Sequence, residues 1–312
     1  MSPATDDLLR YRPWRGKLRG PTRASLAMAR TSLVLLARRK LFWALYALSL
    51  MIFFFFFYGQ YLVVWIQQQT ATQTVQFGGV PVKLVELTRF LDRLNLNGSA
   101  HTFGNFIWFQ GYIVMIVLAL AGSVLVGNDF QYGSLPFYLS KPIGRRHYIL
   151  GKFLAIGLFV QLLTTLPSLV LFVQAGLLYD WEVYYLDHLR ELIGIFGYGL
   201  ALTFTLGMLL IATSVWVRRT VPLIMVWTGA FVLCRVLANM LVDGAQLDSR
   251  WRLIDLWNDL YLVGLWCLGA GRDTIRPSNQ PAFWEAGVVC VTICIGCALY
   301  LRRRIQAVEV IS

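Results

Sequence analysis

Six long apolar stretches constrain this chain more than any other feature of its sequence. A helix needs about 20 mainly apolar residues to cross the roughly 30 Å hydrocarbon core of a bilayer. Transmembrane β-strands are shorter and alternate apolar with polar residues, so continuous stretches of this length indicate helices. The sequence therefore predicts an all-α, polytopic membrane protein with a six-transmembrane-helix bundle. The predicted spans are residues 41–66, 105–127, 148–178, 192–217, 220–242 and 283–301.

The composition agrees with a protein that faces lipid. Hydrophobic residues make up 57% of the 312 residues and charged residues only 14%, whereas soluble domains carry roughly a quarter charged residues. The formal net charge is +12, but the basic residues are not gathered on an aromatic-rich soluble module. We therefore expect attraction to anionic membrane lipid and no nucleic acid partner.

The placement of the basic residues predicts the orientation of the chain. If the N-terminus lies inside, nineteen of the 28 Lys and Arg residues fall on that side and eight on the other. Cytoplasmic loops carry such an excess, so both termini are expected in the cytoplasm. Residues 1–40 then form a cytoplasmic N-terminal segment, 41–304 the six-span transmembrane domain, and 305–312 a cytoplasmic tail.

Two segments ahead of the second span have helical patterns of their own. Residues 22–40 place Arg23 and Arg30 seven apart beside apolar residues, which predicts a helix in the membrane interface. A plain topology anchor is the alternative for this segment. In the first external loop, 67–104, leucines at helical spacing predict an amphipathic helix. These leucines are Leu84, Leu87, Leu91 and Leu94.

The last external loop, 243–282, has an apolar middle that is too short for a clean span. Asp255 and Asp259 also argue against a crossing, so we expect an interfacial or re-entrant segment there. Within the third span, Pro167 predicts a kink, because proline lacks the N–H that a continuous helix uses.

The cytoplasmic connection 127–152 is the most informative stretch of the sequence. It reads GNDFQYGSLPFYLSKPIGRRHYILGK. Ser134 is a possible N-cap, and Pro136 would then fall in a first helical turn that tolerates the missing N–H. The apolar surface that follows contains Phe137 and Tyr138. Exposed aromatic residues on such a short helix need a protein partner or lipid to cover them.

This stretch resembles the membrane permease subunits of type-2 ABC transporters, which are mostly bacterial exporters. In that family an acidic residue precedes a Gly-Thr-Leu or Gly-Ser-Leu triplet, and a leucine-rich turn, a Pro-Ile, basic residues and a Gly-Lys follow. The matching residues here are Asp129, Gly133, Ser134, Leu135, Leu139, Ser140, Lys141, Pro142, Ile143, Arg145, Arg146, Gly151 and Lys152.

The resemblance implies that about 133–141 form a coupling helix that docks on a separate ABC-type ATPase subunit. It also implies a second permease chain, identical or paralogous, with the substrate pathway between the two, and a location in the bacterial inner membrane. Two departures from the family pattern are Pro136 in place of Glu, and Phe137 and Tyr138 in place of two leucines. The implied docking residues are Asp129, Gly133, Ser134, Leu135, Phe137, Tyr138, Leu139 and Lys141.

The sequence contains no phosphate-binding Gly-x-x-x-x-Gly-Lys-Ser/Thr motif. We therefore expect no cofactor on this chain, ATP bound by the partner subunit, and no enzymatic activity of its own. Cys290, Cys294 and Cys297 have a spacing that iron–sulfur proteins use. Because they lie within an apolar span, where thiolates are costly, close helix packing is the better interpretation and no metal site is predicted.

Two ionisable residues in the spans suggest an intramembrane polar pair. Arg235 lies in the fifth span and Glu285 at the start of the sixth, so the two are predicted to pair near the external face. Alternatively, Arg235 reaches out toward Asp243.

Two other classes of function stay open at the level of sequence: an integral membrane enzyme and a non-transporting membrane scaffold. Polar groups at the membrane interface would carry the chemistry of such an enzyme, although they form no recognisable catalytic set. These groups are Asp255, Asp259, Asp273 and His188.

Overall fold

The apolar stretches fold into helices, because a helix satisfies all of its backbone polar groups within one segment. The computed structural model describes residues 21–67, 74–77, 80–83, 95–132, 144–179, 181–271 and 279–304. Within these ranges, six helical segments are long and apolar enough to cross a membrane. The predicted all-α fold with six spans is confirmed. The spans are Lys40–Gln67, Ala100–Gly127, Arg146–Leu178, Leu189–Trp216, Thr220–Gly244 and Phe283–Arg304.

Several spans are built from more than one helix. In chain order, the helices are α1 (Pro21–Ala37), α2 (Lys40–Gln67), α3 (Ala100–Gly122), α4 (Asn128–Gln131), α5 (Arg145–Leu163), α6 (Thr165–Leu178), α7 (Trp181–Asp187), α8 (Leu189–Trp216), α9 (Thr220–Thr228), α10 (Cys234–Asn239), α11 (Leu256–Leu268) and α12 (Phe283–Arg304). π-Helical turns at Ser123–Gly127, Gly229–Leu233 and Met240–Gly244 interrupt the second and fifth spans, and Ser249–Ile254 is a 3₁₀ helix.

A short β-hairpin follows the first span, and sequence periodicity did not predict it. Strands β1 (Thr74–Phe77) and β2 (Val80–Lys83) pair antiparallel, with Val75 opposite Val82. Four-residue strands are too short for periodicity to separate them from a loop. The amphipathic helix predicted for the leucines at 84–94 lies outside the described residues.

The third span is broken near the predicted kink. Helix α5 ends at Leu163 and α6 restarts at Thr165, so Pro167 is the third residue of a new helix. Its missing N–H falls in a first turn, where it is tolerated. The Thr164 hydroxyl donates to the Val160 carbonyl at 2.8 Å, a type of side-chain bond that often accompanies a bend.

The second span is the centre of the bundle. Of the apolar part of this span, 71% is buried, against 11% for the first span and 22% for the fifth. Helix α3 contacts α2 on one side and α9 on another, and it also packs against α8 and α11. The first and fifth spans therefore flank the second and leave most of their own surface uncovered.

Helix α11 is seated among the spans. It packs against α3, α8 and α12, and two glycines permit this close approach. A Cβ on Gly111 would lie 1.9 Å from the Trp257 ring, and one on Gly264 would lie 2.4 Å from the Tyr198 ring. The helix ends at Gly269, whose φ of 83° suits a left-handed C-terminal cap.

Candidate functional site

Asp129, Tyr148 and Lys152 flank the predicted docking segment in the sequence and form a buried cluster, which we call the ion-pair base. Lys152 Nζ lies 2.8 Å from Asp129 Oδ2, and the Tyr148 hydroxyl donates to the same oxygen at 2.8 Å. The side chains of Lys152 and Asp129 are only 9% and 13% exposed. Breaking a pair this well buried leaves an uncompensated charge, so the contact is costly to lose.

Helix geometry explains how three residues converge here. Tyr148 and Lys152 are four apart on α5, so both side chains lie on one face of that helix. Asp129 lies on the short helix α4, directly after the π-helical turn Ser123–Gly127. An extra residue in a helical turn shifts the direction of the side chains that follow, and such turns are frequent at functional sites.

The N-terminal helix also reaches this base. The Ser25 hydroxyl of α1 donates to the His147 carbonyl of α5 at 2.9 Å. A Cβ on Gly151 would lie 3.0 Å from the Ser25 carbonyl oxygen and 3.1 Å from Met28 Cβ. Glycine at 151 therefore permits α1 to lie directly against α5, next to the ion pair.

The base joins the two chain ends that lead into and out of the predicted docking segment. Helix α4 ends at Gln131, before the predicted docking segment 133–141, and α5 begins after it at Arg145. Of the docking residues predicted from sequence, Asp129 is placed by the structure, at the ion pair. The others lie outside the described residues; they are Gly133, Ser134, Leu135, Phe137, Tyr138, Leu139 and Lys141.

A second polar cluster lies where the fifth span ends and the sixth begins. Arg252 donates to Asp243 Oδ1 at 2.6 Å and to Asn239 Oδ1 at 3.3 Å. Arg250 Nε donates to Glu285 Oε1 at 3.0 Å. The two arginines differ in surroundings, since the side chain of Arg252 is 5% exposed and that of Arg250 is 70% exposed.

The predicted pair between Arg235 and Glu285 is not made in the structure. The Arg235 guanidinium lies 5.1 Å from the centre of the Trp108 ring and 5.7 Å from that of Tyr112. Aromatic faces attract a guanidinium, so the two rings give this cation a favourable environment without a bond to Glu285. Glu285 bonds Arg250 instead, a residue on the 3₁₀ helix whose position could not be read from the sequence.

The alternative contact, between Arg235 and Asp243, is not made either. Asp243 forms its ion pair with Arg252, which lies on the same 3₁₀ helix as Arg250. Because this helix folds back over the end of the fifth span, it brings two arginines to carboxylates that lie near the span ends.

The groups considered for a membrane enzyme do not converge on one point. Asp255 and Asp259 lie at the start of α11, whereas the end of that 13-residue helix contacts Arg190, close to His188. A helix of that length separates its two ends by about 20 Å. The His188 ring stacks on Tyr184 with 4.2 Å between ring centres. Asp273 lies outside the described residues.

Comparison with known families decides the class of protein. A family model described as "ABC-2 family transporter protein" matches residues 36–254, well over half of the chain. This chain belongs to the ABC-2 transporter family. It is a multi-pass membrane permease component of an ABC transporter, and the family implies association with an ABC ATPase. A search of curated proteins found no match.

The ion-pair base lies inside the range that the ABC-2 family model matches. Asp129, Tyr148 and Lys152 fall within the matched range, whereas helices α11 and α12 lie beyond its end. The sequence motif already contained Asp129 and Lys152. Their contact was missed, because a spacing of 23 residues across a loop does not by itself show which side chains meet.

Proposed function

We propose that this ABC-2 permease is one half of an exporter in the bacterial inner membrane, with both termini in the cytoplasm. Separate ATPase subunits would bind ATP and dock on residues 133–141, which would act as the coupling helix. The observation that carries the proposal is the buried contact between Asp129 and Lys152, because it ties the base of that segment to two spans.

The base offers a physical route from the docking segment to the bundle. A push on residues 133–141 acts on α4 and α5, which the ion pair holds together. Helix α5 belongs to the third span, α4 continues the second, and α1 lies against α5 at Gly151. A docked ATPase would therefore move these elements as one unit and not bend a free loop.

A second permease chain would cover the uncovered faces of the first and fifth spans. The apolar parts of the first, fifth and sixth spans are only 11%, 22% and 17% buried within the chain, and of these three the first and fifth flank the second span. The exposed side of the fifth span carries Asn239 and Asp243. Arg252 already bonds both of these side chains at the end of the span, so a partner chain would be needed to cover the apolar surface of the span and not these polar groups. The proposed substrate pathway lies at this interface between two copies or paralogues.

Membrane lipid is the proposed partner of the N-terminal helix. Ser25 and Ala29 of α1 are buried toward the bundle, while the opposite stripe carries Arg23, Arg30 and Arg38, all exposed. The α1 sequence contains no acidic residue. A basic stripe with exposed leucines fits the anionic headgroup layer on the cytoplasmic side.

Affinity purification from native membranes in mild detergent tests the exporter proposal. The expected result is a stoichiometric P-loop ATPase that co-purifies with the wild-type chain and is lost from the variant F137D/Y138D. The matched control is W181D/L186D on α7, where both side chains are exposed, at 60% and 72%. Retention of the ATPase by F137D/Y138D, or its loss from both variants alike, would contradict docking on residues 133–141.

A further inference from the structure

The carboxyl group of Asp259 is enclosed near the start of α11. The residue is 0% exposed, and neither carboxyl oxygen has a hydrogen-bond partner in the described part of the chain. Asp255, one turn earlier, is in a different situation. It accepts hydrogen bonds from the backbone N–H groups of Trp257 and Asn258, at 3.1 and 3.3 Å, as the N-cap of the helix.

Among the residues that the structure describes, no cation acts on the Asp259 carboxyl group. Cys290 of α12 lies within electrostatic range of the Asp259 carboxyl group, and Tyr198 of α8 lies near Cys290. Helix α3 presents Trp108 and Tyr112 to the ring of Trp257, not a charge to Asp259.

The two nearby arginines act on Asp255 and have contacts of their own. Arg235 and Arg252 both favour the ionised form of Asp255. Arg235 lies over aromatic rings, and Arg252 bonds Asp243. Asp255, one turn before Asp259, disfavours a second carboxylate at this place through its own charge.

A carboxylate with neither oxygen bonded is expensive to bury, so the group keeps its proton instead. Burial, together with the smaller effect of the Asp255 charge, raises the pKa of Asp259 to about 9. Burial also raises the pKa of Asp255, but its backbone hydrogen bonds and the two arginines oppose that rise. Burial thus raises the pKa of both carboxyl groups, but hydrogen bonds and arginines oppose the rise only at Asp255.

We propose that Asp259 is a proton-binding site that holds its proton while α11 is packed in the bundle and releases it when the first turn of α11 meets water. On release, the O–H bond breaks, its electron pair stays on the carboxylate, and the proton passes to water. The link between release and the transport cycle rests on the proposed function, whereas the protonated state of the packed site does not.

The sign of the pH effect follows from the number of protons that each state binds. Packed α11 binds one more proton than exposed α11 between the ordinary Asp pKa of about 4 and the raised value. Acid therefore favours the packed state and alkali the exposed state, by about tenfold for each pH unit in that window. The D259N variant cannot ionise, so its packing should not respond to pH in this way.

Infrared difference spectroscopy on the purified chain, without any ATPase, tests the proton site. The wild type should show the carbonyl stretch of a protonated carboxylic acid at neutral pH, lost on titration with a midpoint near 9. The band should be absent from D259N and present, at a shifted position, in D259E. The matched control D248N should retain it, because Asp248 is exposed and caps Arg250. Identical spectra of wild type and D259N at neutral pH would overturn the proton site.

The same titration on the complex with its ATPase tests the link to movement. In the resting complex the midpoint should stay near 9, and in the nucleotide-trapped complex it should fall toward the ordinary value of about 4. An unchanged midpoint in the trapped complex would overturn release during the cycle. Should no ATPase co-purify, the proposed function fails, while the titration of the chain alone still decides the proton site.

Discussion

Lys152 and Asp129 form a buried ion pair across the gap that separates the second and third spans, with 2.8 Å between Nζ and Oδ2. The Tyr148 hydroxyl donates to the same carboxylate oxygen, so the pair is supported by a third group. The contact closes the base of the segment proposed to dock the ATPase. It explains why an acidic residue ahead of the segment and a lysine after it belong to one motif.

Removal of one charge from this pair should destabilise the ABC-2 permease strongly. Loss of one partner from a buried pair costs about 3–5 kcal/mol, because the other charge stays buried and uncompensated. K152M should therefore lower the thermal unfolding midpoint in detergent more than the double variant D129N/K152M does. A double-mutant cycle measures the coupling. Additive effects of the two single changes would show that the side chains do not interact.

The close contact between α1 and α5 gives a second prediction. G151V places a branched side chain against the backbone of Ser25, so α1 must move away or the core must adjust. Overpacking of this kind costs about 1–3 kcal/mol. We expect a lower unfolding midpoint and weaker stimulation of the ATPase. The control is G296V on α12, where an added Cβ meets nothing within 4 Å. Equal effects of both variants would argue against a special role of the contact.

The lengths of the apolar stretches predicted most of this fold. The features that they did not predict are short elements and contacts outside the spans. The six spans follow from stretches that a bilayer admits only as helices. The hairpin at Thr74–Lys83 was missed, because its strands are too short for a periodic signal.

The polar contacts of the span ends were beyond sequence reasoning for a different reason. Arg250 and Arg252 reach Glu285 and Asp243 only because a 3₁₀ helix folds back over the fifth span. The position of such a turn is decided by tertiary packing and not by any repeat in the sequence. Arg235 was predicted to pair with Glu285 or to reach Asp243, whereas its guanidinium lies over two aromatic rings.

The two arginines of that 3₁₀ helix should respond differently to substitution. R250A should change the free energy of unfolding by about 1 kcal/mol or less, and less still in high salt, because an exposed ion pair is screened. R252A should cost more than this, since the side chain of Arg252 is 5% exposed and its long aliphatic part is packed. Chemical or thermal unfolding at two salt concentrations would compare them. A larger loss from R250A would contradict the burial of Arg252.

Anionic lipid should support the activity of the complex through α1. Each basic residue near an anionic surface contributes about 1 kcal/mol of attraction. The triple variant R23Q/R30Q/R38Q should therefore lose the preference for anionic over zwitterionic nanodiscs, measured as ATPase activity of the complex at low salt. The matched variant R23K/R30K/R38K keeps the charge and should keep the preference. If the glutamine variant responds to lipid as the wild type does, α1 does not bind the headgroups.

The most direct test of the central claim is site-specific photo-crosslinking at residue 138 in native membranes. In one variant a photoreactive phenylalanine derivative would replace Tyr138. In a separate control variant it would replace Leu186, an exposed residue of α7. We predict a crosslink from position 138 to a P-loop ATPase, and none from position 186 to the same protein. Crosslinks from position 138 that contain only lipid, or an ATPase captured equally from both positions, would contradict docking of the ATPase on the segment above the Asp129–Lys152 pair.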